Sequence, residues 1–203
     1  VATQLRKRGI IICPPGIMGD PRKKDAGWNM YREQFGLYDW EVWSLGDLEK
    51  LQDMLIEGKL NDVEVIIVDE AHRFRNQDTK TYEYLKNICR GKIVILLTAT
   101  PFNNRPADIL SLLSLFITPR KSTITLEDSL VDKFRTFRTV FDLLSYIRKN
   151  YNSKDQTKRD KVNSYYKKLF DEEFEKSRAL SKVKGQSKYL AKQIREVIEP
   201  VTI

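Results

Sequence analysis

Val65-Ile66-Ile67-Val68-Asp69-Glu70-Ala71-His72 is an apolar run that stops abruptly at two adjacent carboxylates. Four β-branched residues in succession suit a strand buried on both faces, the kind found in parallel sheets. A strand that ends this way sets both acids at its carboxyl end, where open α/β sheets bind ligands. Neighbouring carboxylates repel each other, so the pair is costly unless a cation or a positioned water uses it. A hydrated strand-to-loop corner is the plainer alternative, and Asp-Glu alone favours it. The full eight-residue string favours chemistry.

Working outward, the same grammar recurs on either side. Gly9-Ile10-Ile11-Ile12-Cys13 is a second fully apolar run, ending at Pro14-Pro15. Trp40-Glu41-Val42-Trp43 alternates, Val63 extends the central run, and Ile93-Val94-Ile95-Leu96-Leu97 is a fourth strand signal. Helical periodicity fills the gaps over 27–36, 46–58 and 79–90, with Leu48, Leu51, Met54 and Leu55 on one face of the middle segment. A further helix is expected over 106–116, opening on Pro106. Strands alternating with helices imply an α/β fold with a mostly parallel sheet. The fourth run continues into Thr98-Ala99-Thr100-Pro101-Phe102-Asn103-Asn104, where two threonines can bond both the acidic string and the neighbouring loop. A Thr-rich strand end before an ordinary turn is the bland reading of that segment.

Beyond Pro119 the strand signals stop. Phe134, Phe137, Phe141, Leu144 and Ile147 recur at three- and four-residue spacings, as do Val162, Tyr165, Tyr166, Leu169 and Phe170. A third helix is expected over 187–198, and the polar stretch Asn152–Asp160 reads as a loop. Charge divides at the same place. Residues 1–118 hold 16 Lys/Arg and 16 Asp/Glu, whereas 119–203 hold 20 and 12, so the whole net charge of +8 lies in the second part. A basic segment favours a polyanionic partner, nucleic acid above all, with a solvated helical face as the plain alternative.

Composition excludes several classes. Of 203 residues, 41% are hydrophobic, enough for a core, and 32% are charged. No apolar run approaches the roughly 18 residues needed to cross a bilayer, and Gly9–Cys13 is too short for a signal peptide. Cys13 and Cys89 both lie in or beside apolar segments, which reads as reduced core thiols without disulfide or zinc spacing. An intracellular location, cytoplasm, nucleoid or nucleus, is the expectation.

The two strings together resemble motifs II and III of superfamily-two helicases and translocases, and most nearly the Swi/Snf-like family of double-stranded DNA translocases. The acidic string continues as Arg73-Phe74-Arg75-Asn76, and Leu97-Thr98-Ala99-Thr100-Pro101-Phe102-Asn103-Asn104 is similar to the family's Leu-Thr-x-Thr-Pro-x-x-Asn. Cys13-Pro14-Pro15 followed by Trp28 looks like motif Ia, Asp108-Ile109-Leu110-Ser111-Leu112-Leu113 like the helix after motif III, and Ile198-Glu199-Pro200 like the segment before the second lobe. Ala99 stands where Swi/Snf members commonly have glycine, and the stretch between Pro15 and Trp28 is long for the family.

The resemblance implies a truncated RecA-like lobe at 1–118, followed by a basic helical insertion at 119–203. It implies ATP and Mg²⁺ as cofactors and double-stranded DNA as partner, RNA staying open. Asp69 would hold Mg²⁺, Glu70 would orient and deprotonate the attacking water, and His72, Thr98 and Thr100 would couple hydrolysis to motion. Pro14 and Pro15 would lie against the nucleic-acid backbone, with Arg105 as a further backbone contact. Lys154, Lys158, Arg159 and Lys161 would meet phosphates. Trp28, Trp40 and Trp43 read as packing residues.

No Gly-x-x-x-x-Gly-Lys-Ser/Thr phosphate loop occurs: Gly58-Lys59 and Gly91-Lys92 run on into Leu60 and Ile93. The expectation is therefore a piece of a larger motor, inactive alone and completed by a second RecA-like lobe of the same protein. A non-catalytic nucleic-acid or protein-binding module on a degenerate RecA-like scaffold is the rival, with a helicase subunit of a restriction-type enzyme as a further branch.

Overall fold

A computed structural model describes residues 6–99, 105–117 and 129–199. The chain forms two compact units, Val1–Asn103 with Asp108–Thr118, and Asn104–Ala107 with Pro119–Ile203.

The first unit is built on four parallel strands: β1 (Gly9–Cys13), β2 (Glu41–Ser44), β3 (Val65–Val68) and β4 (Ile93–Leu96). They lie in the order β2-β1-β3-β4. Ile12 is paired with both Trp43 and Val68, and Val68 with Leu96, so the carboxyl ends of the strands line up along one edge. The two central strands are buried throughout, as continuous apolar runs require. The apolar run at Val63 enters the sheet only at Val65, and Trp40 precedes β2 as a buried side chain.

Four helices accompany the sheet: α1 (Gly27–Gln34), α2 (Leu48–Ile56), α3 (Lys80–Cys89) and α4 (Pro106–Leu113). Alternation along the central strands divides the core in two. Ile10, Ile12, Ile66 and Val68 face Leu48 and Leu51 of α2, Leu85 and Ile88 of α3, and Leu112. Ile11, Val65 and Ile67 face the other way, against Leu37, Trp40 and Trp28. Burying one such aliphatic side chain contributes about 1.5–3 kcal/mol.

Local chemistry fixes the helix ends. Thr79 caps α3 by accepting from Tyr82 N. At the end of α2, Gly58 adopts φ +75°, Gly58 N donates to Leu55 O and Lys59 N to Met54 O, a Schellman closure. Gly58-Lys59 is thus a helix stop. Both cysteines are free and buried. Burial pushes the Cys89 thiol up to about 12.

The second unit carries α5 (Leu130–Asn150), α6 (Gln156–Phe170) and α7 (Lys176–Ile198), with α5 packed against both partners. Two expectations are corrected here. The polar stretch 152–160 is only partly loop, because Asp155 caps α6 by accepting from Lys158 N and starts the helix at Gln156. The last helix begins at Lys176, eleven residues before the expected start at 187. Tyr166 is buried and Tyr165 packs edge-on against Tyr146, so both tyrosines serve packing. Among the described residues, no helix is long and apolar enough to cross a membrane.

Candidate functional site

The acid pair sits where β3 leaves the sheet. Asp69 N still donates to Ile12 O on β1 (2.8 Å), and Leu97 N donates to Val68 O (2.8 Å). Glu70 then turns the chain through φ 54°, ψ 41°, the left-handed region that costs a non-glycine residue about 1–3 kcal/mol. The turn lets Ala71 N reach back to Leu97 O (2.9 Å). A short 3₁₀ segment, Ala71–Phe74, follows, and Ala71 and Phe74 are both buried in the core. The two acids are thus held between anchored segments, on a strand end flanked by β1 and β4.

Each Asp69 oxygen has a partner. Oδ1 accepts from Glu70 N (2.8 Å), and Oδ2 accepts from the Trp28 indole Nε1 (2.8 Å). Glu70 Oε2 lies 3.0 Å from His72 Nδ1. Both of those atoms are shielded from solvent, and their approach lacks the alignment of a hydrogen bond. Glu70 Oε2 is thus turned toward the imidazole and away from solvent. Burial, and after it the Asp69 charge, pushes the Cys13 thiol up to about 12 and keeps it neutral.

An open pocket of about 520 Å³ adjoins Asp69. Its walls are Gly16 and Ile17 of the β1–α1 loop, Gly27, Trp28, Tyr31 and Phe35 of α1 and its end, and Asp69. Between β1 and β3 the strand order reverses direction, and at such a switch point open sheets bind their ligands.

The donor chemistry suits Mg²⁺ bound with a phosphate ligand. Mg²⁺ keeps most of its waters and needs only one or two carboxylates beside the phosphates. Two adjacent carboxylates supply that much. Among the described residues, no cluster of three or more metal-ligating side chains offers a cage of its own.

The structure brings Asp69, Glu70 and His72 together beside Thr98, which follows β4 by two positions, with Pro14 and Pro15 at the end of β1. Thr100 and Pro101–Asn104 lie outside the described residues. Arg105 is exposed and belongs to the second unit, as do Lys154, Lys158, Arg159 and Lys161, all four on the surface at and just before the start of α6. Lys158 pairs with its cap residue Asp155 (4.0 Å), and Arg159 donates to Gln156 (2.6 Å). Sequence reasoning set Trp28 in the motif Ia resemblance and read its side chain as packing, missing its bond to Asp69. Its position just after the β1–α1 loop was the available signal.

A parallel α/β unit whose central strand ends in an acid pair at the switch point is a ligand-binding unit of the open-sheet class. The chain belongs to the SNF2-related domain family, whose model matches residues 24–201. It is 46% identical over 52 residues to an uncharacterized ATP-dependent helicase, YqhH, of Bacillus subtilis (strain 168). That match covers 26% of this chain and 9% of the relative. A chromodomain-helicase-DNA-binding protein 1-like of Danio rerio is 42% identical over 55 residues, 27% of this chain and 5% of the relative. Among solved structures, the Sulfolobus solfataricus SWI2/SNF2 ATPase core in complex with dsDNA aligns at TM-score 0.43 and 18% identity, covering 81% of this chain and 33% of that one. The matched stretches thus span well under two thirds of each of these proteins.

Proposed function

We propose that this chain is the acid-pair-bearing part of an ATP-driven motor that moves on double-stranded DNA. One observation carries the reading: Asp69 and Glu70 stand at the carboxyl end of a central parallel strand, with Glu70 held left-handed and paired with His72 at 3.0 Å. Membership in the SNF2-related domain family supports it, as do relatives whose names are those of helicases.

In this reading Asp69 holds the water shell of Mg²⁺, which when bound would neutralise charge on the phosphates. Glu70 orients the attacking water and takes its proton on its carboxylate. His72, 3.0 Å away, is placed to answer the charge change there. The link from Ala71 N to Leu97 O ties the acidic turn to the strand end that leads into Thr98, a physical route for coupling. Pro14, Pro15 and Arg105 are proposed backbone contacts, and Lys154, Lys158, Arg159 and Lys161 phosphate contacts.

Glu70→Gln, made in the protein carrying this chain, is the test. Glutamine keeps size and an acceptor but loses the proton-accepting charge, so hydrolysis should fall by about 10²–10⁴ while nucleotide binding persists. Asp69→Asn should instead weaken Mg²⁺-dependent nucleotide binding. Wild-type turnover in both variants overturns the reading.

A further inference from the structure

We infer that Trp28 is a positioning residue for Asp69, its indole N–H fixing the plane of the carboxylate that faces the metal and phosphates; this rests on the function proposed above. The bond is direct, Nε1 to Oδ2 at 2.8 Å, between residues 41 positions apart. Its direction is unambiguous, because an indole nitrogen only donates.

The terminal torsion of an aspartate is soft and broadly distributed. A single bond leaves it free to swing. Here one donor holds each oxygen, Glu70 N on Oδ1 and Trp28 Nε1 on Oδ2. Two donors on different oxygens set the carboxylate plane and leave the remaining lone pairs for hydrated metal. The charge-assisted bond is also about twice as strong as a neutral one.

Trp28 is itself held rigidly. Its half-buried ring packs against the core cluster formed by Ile11, Leu37, Trp40, Val65 and Ile67. The loop that delivers it is closed by Asn29, whose side-chain amide donates to Met18 O (2.9 Å) and Gly19 O (3.1 Å). A donor on a fixed element transmits that rigidity to the group it holds. The other two tryptophans spend their N–H groups elsewhere, Trp40 on Lys7 O (3.0 Å) and Trp43 on Glu41 (3.1 Å).

The test has two arms. In a ¹⁵N-labelled sample of the chain, the backbone-assigned Trp28 indole N–H resonance should move upfield in Asp69→Asn, as the acceptor loses its charge. Those of Trp40 and Trp43 should stay in place. In the hydrolysing protein, Trp28→Phe keeps an aromatic ring and deletes the donor. The half-saturating Mg²⁺ concentration should then rise about tenfold, the usual size of an outer-shell loss, with far less change in kcat at saturating Mg²⁺. A Trp28 resonance indifferent to Asp69→Asn overturns the inference, as does a Trp28→Phe variant with the wild-type Mg²⁺ requirement. Should Asp69→Asn and Glu70→Gln both leave hydrolysis intact, the motor reading fails, and the resonance still decides whether Trp28 holds Asp69.

Discussion

Glu70 is a charged residue in a conformation that favours glycine, with φ 54°. Such strain persists only where the surroundings over-determine it, and here they do. Ala71 N is committed to Leu97 O, and Ala71 and Phe74 are sealed into the core. The same logic, with glycine supplied, governs the loop that delivers Trp28. Gly27 has φ +61°, and a Cβ there would stand 2.5 Å from Ile17 O and 2.6 Å from Gly19 N. Backbone on both sides cannot yield cheaply. Gly27→Ala should therefore destabilise the chain by at least about 2 kcal/mol, the left-handed penalty of about 1–2 kcal/mol being joined by the clash. Urea unfolding checks it, and a loss within 0.5 kcal/mol, about the scatter of a surface substitution, would show that the loop is free to rearrange.

At the scale of elements, legibility followed the apolar pattern. β1 and β3 were readable because buried parallel strands are continuous apolar runs, and the acid pair was readable because it ends one of them. Trp28 was not, since a tryptophan beside an apolar stretch reads as core, and the acceptor of its N–H lies a strand away. The start of α6 was hidden by charge: Lys154-Asp155-Gln156-Thr157-Lys158-Arg159-Asp160 shows no apolar stripe, and only the Asp155 cap betrays the helix. The first half of α7 was hidden by Gly185, which interrupts the helical pattern although Ala179, Val183, Leu190, Ile194 and Ile198 are all buried. Gly185 is exposed, and a Cβ there meets nothing within 4 Å. Gly185→Ala should therefore stabilise the helical unit by about 0.5–1 kcal/mol. Thermal unfolding reads it, and destabilisation would mean that α7 needs glycine for contact or bending.

Across the whole molecule, the units differ in charge as much as in fold. Residues 1–118 are balanced and 119–203 carry all of the +8. Lys154, Lys158, Arg159 and Lys161 are exposed within eight residues of chain at the start of α6, and the two carboxylates among them are engaged, Asp155 capping the helix and Asp160 accepting from Gln156 Nε2. Exposed ion pairs such as Lys158–Asp155 are worth little, so these cations remain available to a polyanion. Each phosphate neutralised on duplex DNA should add about −0.9 to the slope of log affinity against log salt. Reversing all four residues to Glu should weaken binding to every duplex sequence and flatten the slope by up to about 3.6, if each makes one contact. All four side chains point to solvent, so the fold should survive, as far-UV circular dichroism would confirm. The measurement is fluorescence anisotropy of labelled duplex over a salt series. Equal affinities and parallel slopes for wild type and variant would assign the positive face to solvation, and would leave the Pro14–Pro15 loop and Arg105 as the nucleic-acid contacts to test next.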